Sequence, residues 1–221
     1  MGWMGRSGGD PSDIASQAAS GLEGGGGKLA VSLSAIAMVF SGYSLWESSL
    51  KAADLHAFVP PVIHFAAPYQ NTNFEVIAVP ITLSNEGART ATVLSMELAV
   101  TDPRTKATKK FYAADFGRWT MERTRAGAYE PFAPSPLAGR SSRTESVLFY
   151  TRGEDQKPNE LFRAAGPYSF TLSLDVAESK DKPSVTFERA LLNYDARAFN
   201  EGTLPLYSSD WTSSSNTAST K

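Results

Sequence analysis

The chain has 221 residues, with 21 lysines and arginines against 23 aspartates and glutamates, a formal net charge of −2. That balance offers no basic face for nucleic acid. The absence of cysteine removes disulfides, thiol catalysis, zinc ribbons and thiolate-held iron–sulfur clusters together.

Residues 1–27 hold nine of the 17 glycines: Gly2, Gly5, Gly8, Gly9, Gly21 and Gly24 to Gly27. Such a composition cannot bury a core and reads as a disordered tail. Ile14, Ala15, Ala18, Ala19 and Leu22 have helical spacing behind a Ser12 cap, in a run too short to be stable alone.

Residues 29–46 carry no charge and are bracketed by Lys28 and Glu47. At about 1.5 Å per residue they make a helix of roughly 27 Å, close to the thickness of a bilayer's hydrocarbon layer. A buried core helix would need a helical partner, and the rest of the sequence offers none. A cleaved signal peptide would need a shorter leader and a longer apolar run before Ala35-Ile36-Ala37. A lipoprotein anchor needs a cysteine, and N-myristoylation wants Ser or Thr where Arg6 stands. The segment therefore reads as an uncleaved signal anchor, with Lys28 at one headgroup layer and Tyr43 and Trp46 at the other.

Small residues recur along this segment at Ala30, Ser34, Ala37, Ser41 and Ser44, continuing to Ser48, with spacings of four and three. On a helix they form one seam, turned away from Leu33, Ile36, Phe40 and Leu45. In lipid such a seam lets two backbones approach, so another transmembrane helix is the expected partner, either a second copy or a different subunit. The competing reading has the serine hydroxyls bonding their own helix backbone. Arg6 and Lys28 precede the span and Lys51 follows it beside Glu47 and Asp54. The small basic excess before the span favours a cytoplasmic N-terminus. Residues 28–58 are expected to hold the span and a helical extension, stopped by Pro60-Pro61.

From Val62 onward the period becomes two. Expected strands cover residues 62–66, 74–84, 91–101, 108–113, 144–151, 168–176 and 184–193. Pro80 marks the second as an edge or a bulge. The third divides Val93, Ser95, Glu97, Ala99 and Thr101 from Leu94, Met96, Leu98 and Val100. The sixth puts Tyr168, Phe170, Leu172, Leu174 and Val176 inside. About seven strands with turns between them suit an all-β antiparallel sandwich over residues 59–200, preceded by a single transmembrane helix and followed by a polar tail over 201–221.

The run Pro80-Ile-Thr-Leu-Ser-Asn-Glu-Gly87 followed by Leu94-Ser-Met-Glu-Leu-Ala-Val100 resembles the strand–turn–strand of immunoglobulin-like and fibronectin-like modules in bacterial envelope proteins. Gly166-Pro-Tyr-Ser-Phe-Thr-Leu-Ser-Leu174 is similar to their penultimate strand, whose tyrosine often makes a corner bond. The resemblance covers roughly residues 62–193 and implies an immunoglobulin-like sandwich. It departs from those modules in lacking the cysteine pair and in the long segment 115–143. It transfers no function, because that fold hosts many.

Segment 115–143 mixes aromatics, arginines and prolines without a period. Arg118, Trp119, Arg123, Tyr129 and Phe132 form a candidate interaction patch, being of the residue types that dominate interface energies. The competing reading is that Trp119 and Phe132 plug the end of the domain. Arg104, Lys106, Lys109 and Lys110 read as charges guarding a hairpin edge.

No catalytic or metal motif is present. His56 and His64 lie eight apart without a third ligand nearby in sequence, so no metal and no cofactor are expected. Glu154-Asp155 and Glu178 with Asp181 read as solvated carboxylates. These observations favour a non-catalytic interaction or assembly module of a bacterial inner membrane, with its domain in the periplasm. The alternative is a ligand-binding sensor, which would need an apolar cavity inside the domain.

Overall fold

The computed structural model describes residues 26–66, 75–117, 130–151, 161–177, 179, 182–192 and 203–209. The expected tail before residue 26, Phe74 of the second expected strand, Asn193 of the seventh, the Glu154-Asp155 and Glu178/Asp181 carboxylates, and residues 210–221 lie outside these. The chain divides into two units, residues 1–51 and 52–221.

In the first unit, α1 (Gly26–Leu45) is a regular helix. Residues 27–46 are exposed throughout. Its large apolar side chains, among them Leu29, Val31, Val39 and Phe40, are exposed on every side. A π-helical turn follows at Trp46–Leu50, closed by the Lys51 N–H on the Trp46 carbonyl at 2.9 Å. Glu47 and Lys51 pair at 3.6 Å. The helical stretch Gly27–Leu50 has 24 residues and is long and apolar enough to cross a membrane. The helical extension expected to reach Phe58 stops at Leu50, because residues 55–58 find a sheet partner instead.

The second unit contains β1 (Leu55–Phe58), β2 (Val62–Ala66), β3 (Val76–Asn85), β4 (Ala91–Thr101), β5 (Thr108–Phe116), β6 (Glu130–Pro131), β7 (Ser135–Leu137), β8 (Ser141–Thr151), β9 (Gly166–Val176), β10 (Ser184–Leu191) and β11 (Thr203–Tyr207). The ladder runs β5–β8–β3–β2–β11–β10–β9–β4 and returns from β4 to β5. Eight strands thus close into an antiparallel barrel, with β1, β6 and β7 added outside the ring.

This closure corrects the expected immunoglobulin-like sandwich. Two stacked sheets would leave β4 and β8 in separate layers, but β5 joins them. Thr108 to Tyr112 pair with β4, and Phe111 to Phe116 pair with β8, across a bulge between Ala113 and Asp115. A bulge bends and twists its strand, which lets one strand change partners around a corner. Between β10 and β11 the register pair among the described residues is Ala190 opposite Tyr207.

The interior is packed with Ile63, Phe65, Ile77, Val79, Phe111, Phe149, Tyr168, Phe170 and Leu172, each almost wholly buried. Eight strands leave an interior that side chains just fill. Phe162 lies among them, 4.5 Å from Phe65 and 4.7 Å from Tyr168 by ring centres. The β9 alternation is as expected, and Tyr168 donates its hydroxyl to the Ala164 carbonyl at 2.7 Å. In β4 the expected faces are exchanged at one end. A bulge between Val93 and Ser95 turns Val93 inward and leaves Leu94 at 43% exposure. Pro80 falls between the stretch of β3 that pairs with β2 and the stretch that pairs with β1. The prolines at 60 and 61 separate β1 from β2. Arg189 holds this bend, donating to the carbonyls of Val59 at 3.1 Å and Pro60 at 2.6 Å from above the Phe187 ring. β11 lies within the stretch expected to be a polar tail; Leu204 and Leu206 are buried there against the core.

Candidate functional site

The most constrained surface of the barrel is the corner where β1 meets the end of β3. Leu55 lies opposite Asn85 and His56 opposite Ser84. One step beyond, the Glu86 N–H donates to the Asp54 carbonyl at 2.8 Å. Asn85 is the buried post of this corner, 1% exposed. Its side-chain oxygen accepts from the N–H groups of Asp54 at 3.1 Å and Gly87 at 3.0 Å. Its amide donates to the carbonyls of Arg89 at 2.8 Å, Ala138 at 3.2 Å and Leu137 at 3.3 Å. A buried amide with every polar atom satisfied fixes the backbone around it.

On that frame the exposed side chains of Asp54, His56 and Glu86 converge. One ligand-type atom from each lies within 4.8 Å of the others. The His56 Nε2 to Asp54 Oδ1 distance is 3.3 Å. Among the described residues, neither Asp54 nor Glu86 has a lysine or arginine ion-pair partner. His64, the other histidine of the chain, is not part of this cluster. That residue lies in β2, opposite Ala78 of β3 and Pro205 of β11, and burial lowers its pKa. The companions of His56 instead come from a residue two before it and from a neighbouring strand 30 residues on. The Asn85-Glu86-Gly87 turn signal was the one local hint.

Beside this corner a cleft of about 200 Å³ is lined by Ala52, Leu55, Arg89, Thr90, Val176 and Pro183, smaller than ordinary ligand pockets. A gap of about 10 Å³ lies between Ile81, Met96, Phe116 and Val147 on one side and Ser135, Arg143 and Glu145 on the other, no more than one water requires.

The seam residues Ala30, Ser34, Ala37, Ser41 and Ser44 all lie in the regular part of α1 and are exposed. At 3.6 residues per turn they occupy an arc of about 80°. The π-helical turn ends this register before Ser48, whose hydroxyl turns back to the Leu45 carbonyl at 3.4 Å. Ser32, outside the seam, does the same to Leu29 at 2.9 Å. Of the candidate patch, Arg118, Trp119, Arg123 and Tyr129 lie outside the described residues. Phe132 is half-buried and stacks on Phe116 with ring centres 4.9 Å apart.

The basic run of the β4–β5 hairpin is divided among separate partners. Lys109 is buried and pairs with buried Glu75. Lys110 pairs with Glu97 at 2.9 Å. Arg104 bonds Asp102 at 2.9 Å and the Tyr168 hydroxyl at 2.8 Å; the guanidinium holds the Asp102 carboxyl below the usual range.

No family model matches the chain. No curated protein matches it either. Several solved structures show a partial likeness, two of which follow. One is a crystal structure from Bordetella pertussis bearing the name ApaA, with 13% identity and a TM-score of 0.30, covering 72% of this chain and 97% of its own. The other is a crystal structure of a protein from Archaeoglobus fulgidus, with 11% identity and a TM-score of 0.31, covering 63% of this chain and 94% of its own. Likeness at this level carries no argument about fold or activity.

Proposed function

We propose that the protein is a membrane-anchored, non-catalytic interaction or assembly module of a bacterial inner membrane, with the barrel in the periplasm. The observation that carries this reading is an apolar helix exposed all round, with one arc of small residues, on the same chain as a barrel filled by its own side chains. The close packing of the described inward side chains, such as Phe65, Phe149, Tyr168 and Phe170, favours interaction over the sensor reading. Arg6 and Lys28 before the span against Lys51 after it, a small basic excess on the N-terminal side, support the orientation. The partners expected are the bilayer and a second transmembrane helix.

The test is protease treatment of spheroplasts followed by co-purification in mild detergent. Loss of the barrel to protease while the membrane is intact supports the orientation, and a barrel protected until lysis reverses it. Recovery of a stoichiometric membrane partner, or of a second copy, supports the assembly role. A chain that purifies alone and turns over a substrate would overturn it.

A further inference from the structure

We propose that Asp54, His56 and Glu86 form a binding site for a divalent first-row transition ion, with zinc as its probe. The donor set is two carboxylates and an imidazole, the mixture that suits such ions rather than calcium or magnesium. The three ligand-type atoms lie within 4.8 Å of one another. For a tetrahedral ion with bonds of about 2.0–2.1 Å, neighbouring ligand atoms sit about 3.3 Å apart. The His56 Nε2 to Asp54 Oδ1 separation of 3.3 Å matches that edge.

Two further features separate this cluster from scattered surface acids. First, its backbone is built. Asp54 and Glu86 are tied by a direct main-chain bond, His56 is in register with Ser84, and buried Asn85 holds both chains from behind. Second, Asp54 and Glu86 are like charges held beside each other just past the β1–β3 pairing, where a cation between them relieves their repulsion. The His56 ring nitrogen lies 3.3 Å from Asp54, and no lysine or arginine among the described residues pairs with either carboxylate. Three protein ligands leave one position of a tetrahedral ion for water or for a group from a partner. Asp54 and His56 lie two apart in sequence, and Glu86 joins them through the pairing of β1 with β3.

The experiment is calorimetric titration of zinc chloride into the full chain, purified in detergent with a histidine-free tag and freed of metal by chelation. Wild type is expected to bind one equivalent and to melt higher with zinc than with magnesium or calcium. His56→Ala and Glu86→Gln are each expected to weaken zinc binding at least roughly tenfold, since losing even an outer-shell partner weakens metal sites by about 10- to 100-fold. Both positions are exposed, and circular dichroism confirms that each variant is folded. His64→Gln is expected to bind as wild type does. No saturable zinc binding, or the same affinity in His56→Ala as in wild type, overturns the site. So does a loss that follows His64→Gln instead, or an equal response to magnesium.

Discussion

The side-chain oxygen of Asn85 accepts the main-chain N–H of Asp54 at 3.1 Å, across 31 residues of sequence. Through that bond a buried amide at the end of β3 fixes the chain that leads into β1. The same amide reaches the carbonyls of Leu137 and Ala138, so three separate segments share one side chain. Asn85→Ala leaves these main-chain groups without partners, and unsatisfied buried groups cost about 1–3 kcal/mol apiece before relaxation. The expected loss is about 2–3 kcal/mol, measured by urea unfolding of the full chain in detergent. A change within experimental error would remove Asn85 as the post of the corner.

Much of the barrel wall was legible in the sequence, and its closure was not. Alternation such as that of Tyr168, Phe170 and Leu172 says which side chains point inward, and it reads identically for a sandwich and a barrel. What distinguishes them is the partner exchange of β5 at the Ala113/Asp115 bulge, a long-range hydrogen-bond fact without a local signature. The bulge at Val93/Ser95 likewise inverted one end of a face assignment that strict alternation put wrongly. In sequence β1 reads as part of the helical extension, because Leu50, Ala53, Leu55 and Phe58 also fit a helical face. The Asp54–His56–Glu86 cluster depends on register between strands, which spacing along one strand cannot convey.

Gly139 shows another such long-range constraint. A Cβ there would lie 2.0 Å from the Ala88 carbonyl oxygen, a backbone atom with no side-chain freedom to yield. The adjacent Arg140 N–H donates to the Gly87 carbonyl at 2.9 Å, so the two loops cannot separate without losing that bond. Gly139→Ala is expected to cost about 1–3 kcal/mol through overpacking. Thermal melting is the measurement, with Gly42→Ala as control because a Cβ there meets nothing within 4 Å. Equal melting of the two variants would show that the loops can part freely.

Lys109 and Glu75 are a buried ion pair, on the same strand faces as Phe111 and Ile77. Removing one partner takes the counter-charge from a buried ion, at a cost of about 3–5 kcal/mol. Lys109→Met alone is expected to be much worse than Lys109→Met combined with Glu75→Leu. Denaturant unfolding of the two variants measures the difference. A double variant as unstable as the single one would mean that the pair is not the main compensation for either charge.

His64 supplies the pH dependence that the fold predicts. Burial lowers its folded pKa below the ordinary 6.5, so the folded state prefers the neutral ring. As pH falls through 6.5 the unfolded chain takes up the proton first, and stability declines until the folded pKa is passed. Above the unfolded value both states are neutral and the full stability is present. Urea midpoints between pH 7.5 and pH 5 (values on the order of those spanning the imidazole titration) should fall in wild type and fall less in His64→Gln. An identical decline in both would assign the pH response to other groups.

The helix seam makes the sharpest comparison in the first unit. Ser41 sits within the arc of Ala30, Ser34, Ala37 and Ser44, whereas Val39 lies on the opposite side of α1 at 71% exposure. Small residues contribute by letting another backbone come close, so Ser41→Leu blocks that approach while raising the hydrophobicity that insertion requires. Val39→Leu changes little volume and leaves the arc intact. Contacts of this kind are worth roughly 0.6–2 kcal/mol each in membranes, enough to weaken association severalfold without touching the barrel. Crosslinking and co-purification at equal membrane levels should recover less partner with Ser41→Leu than with Val39→Leu. If both variants recover the partner equally, the arc of small residues is not a contact surface and α1 serves only as a tether.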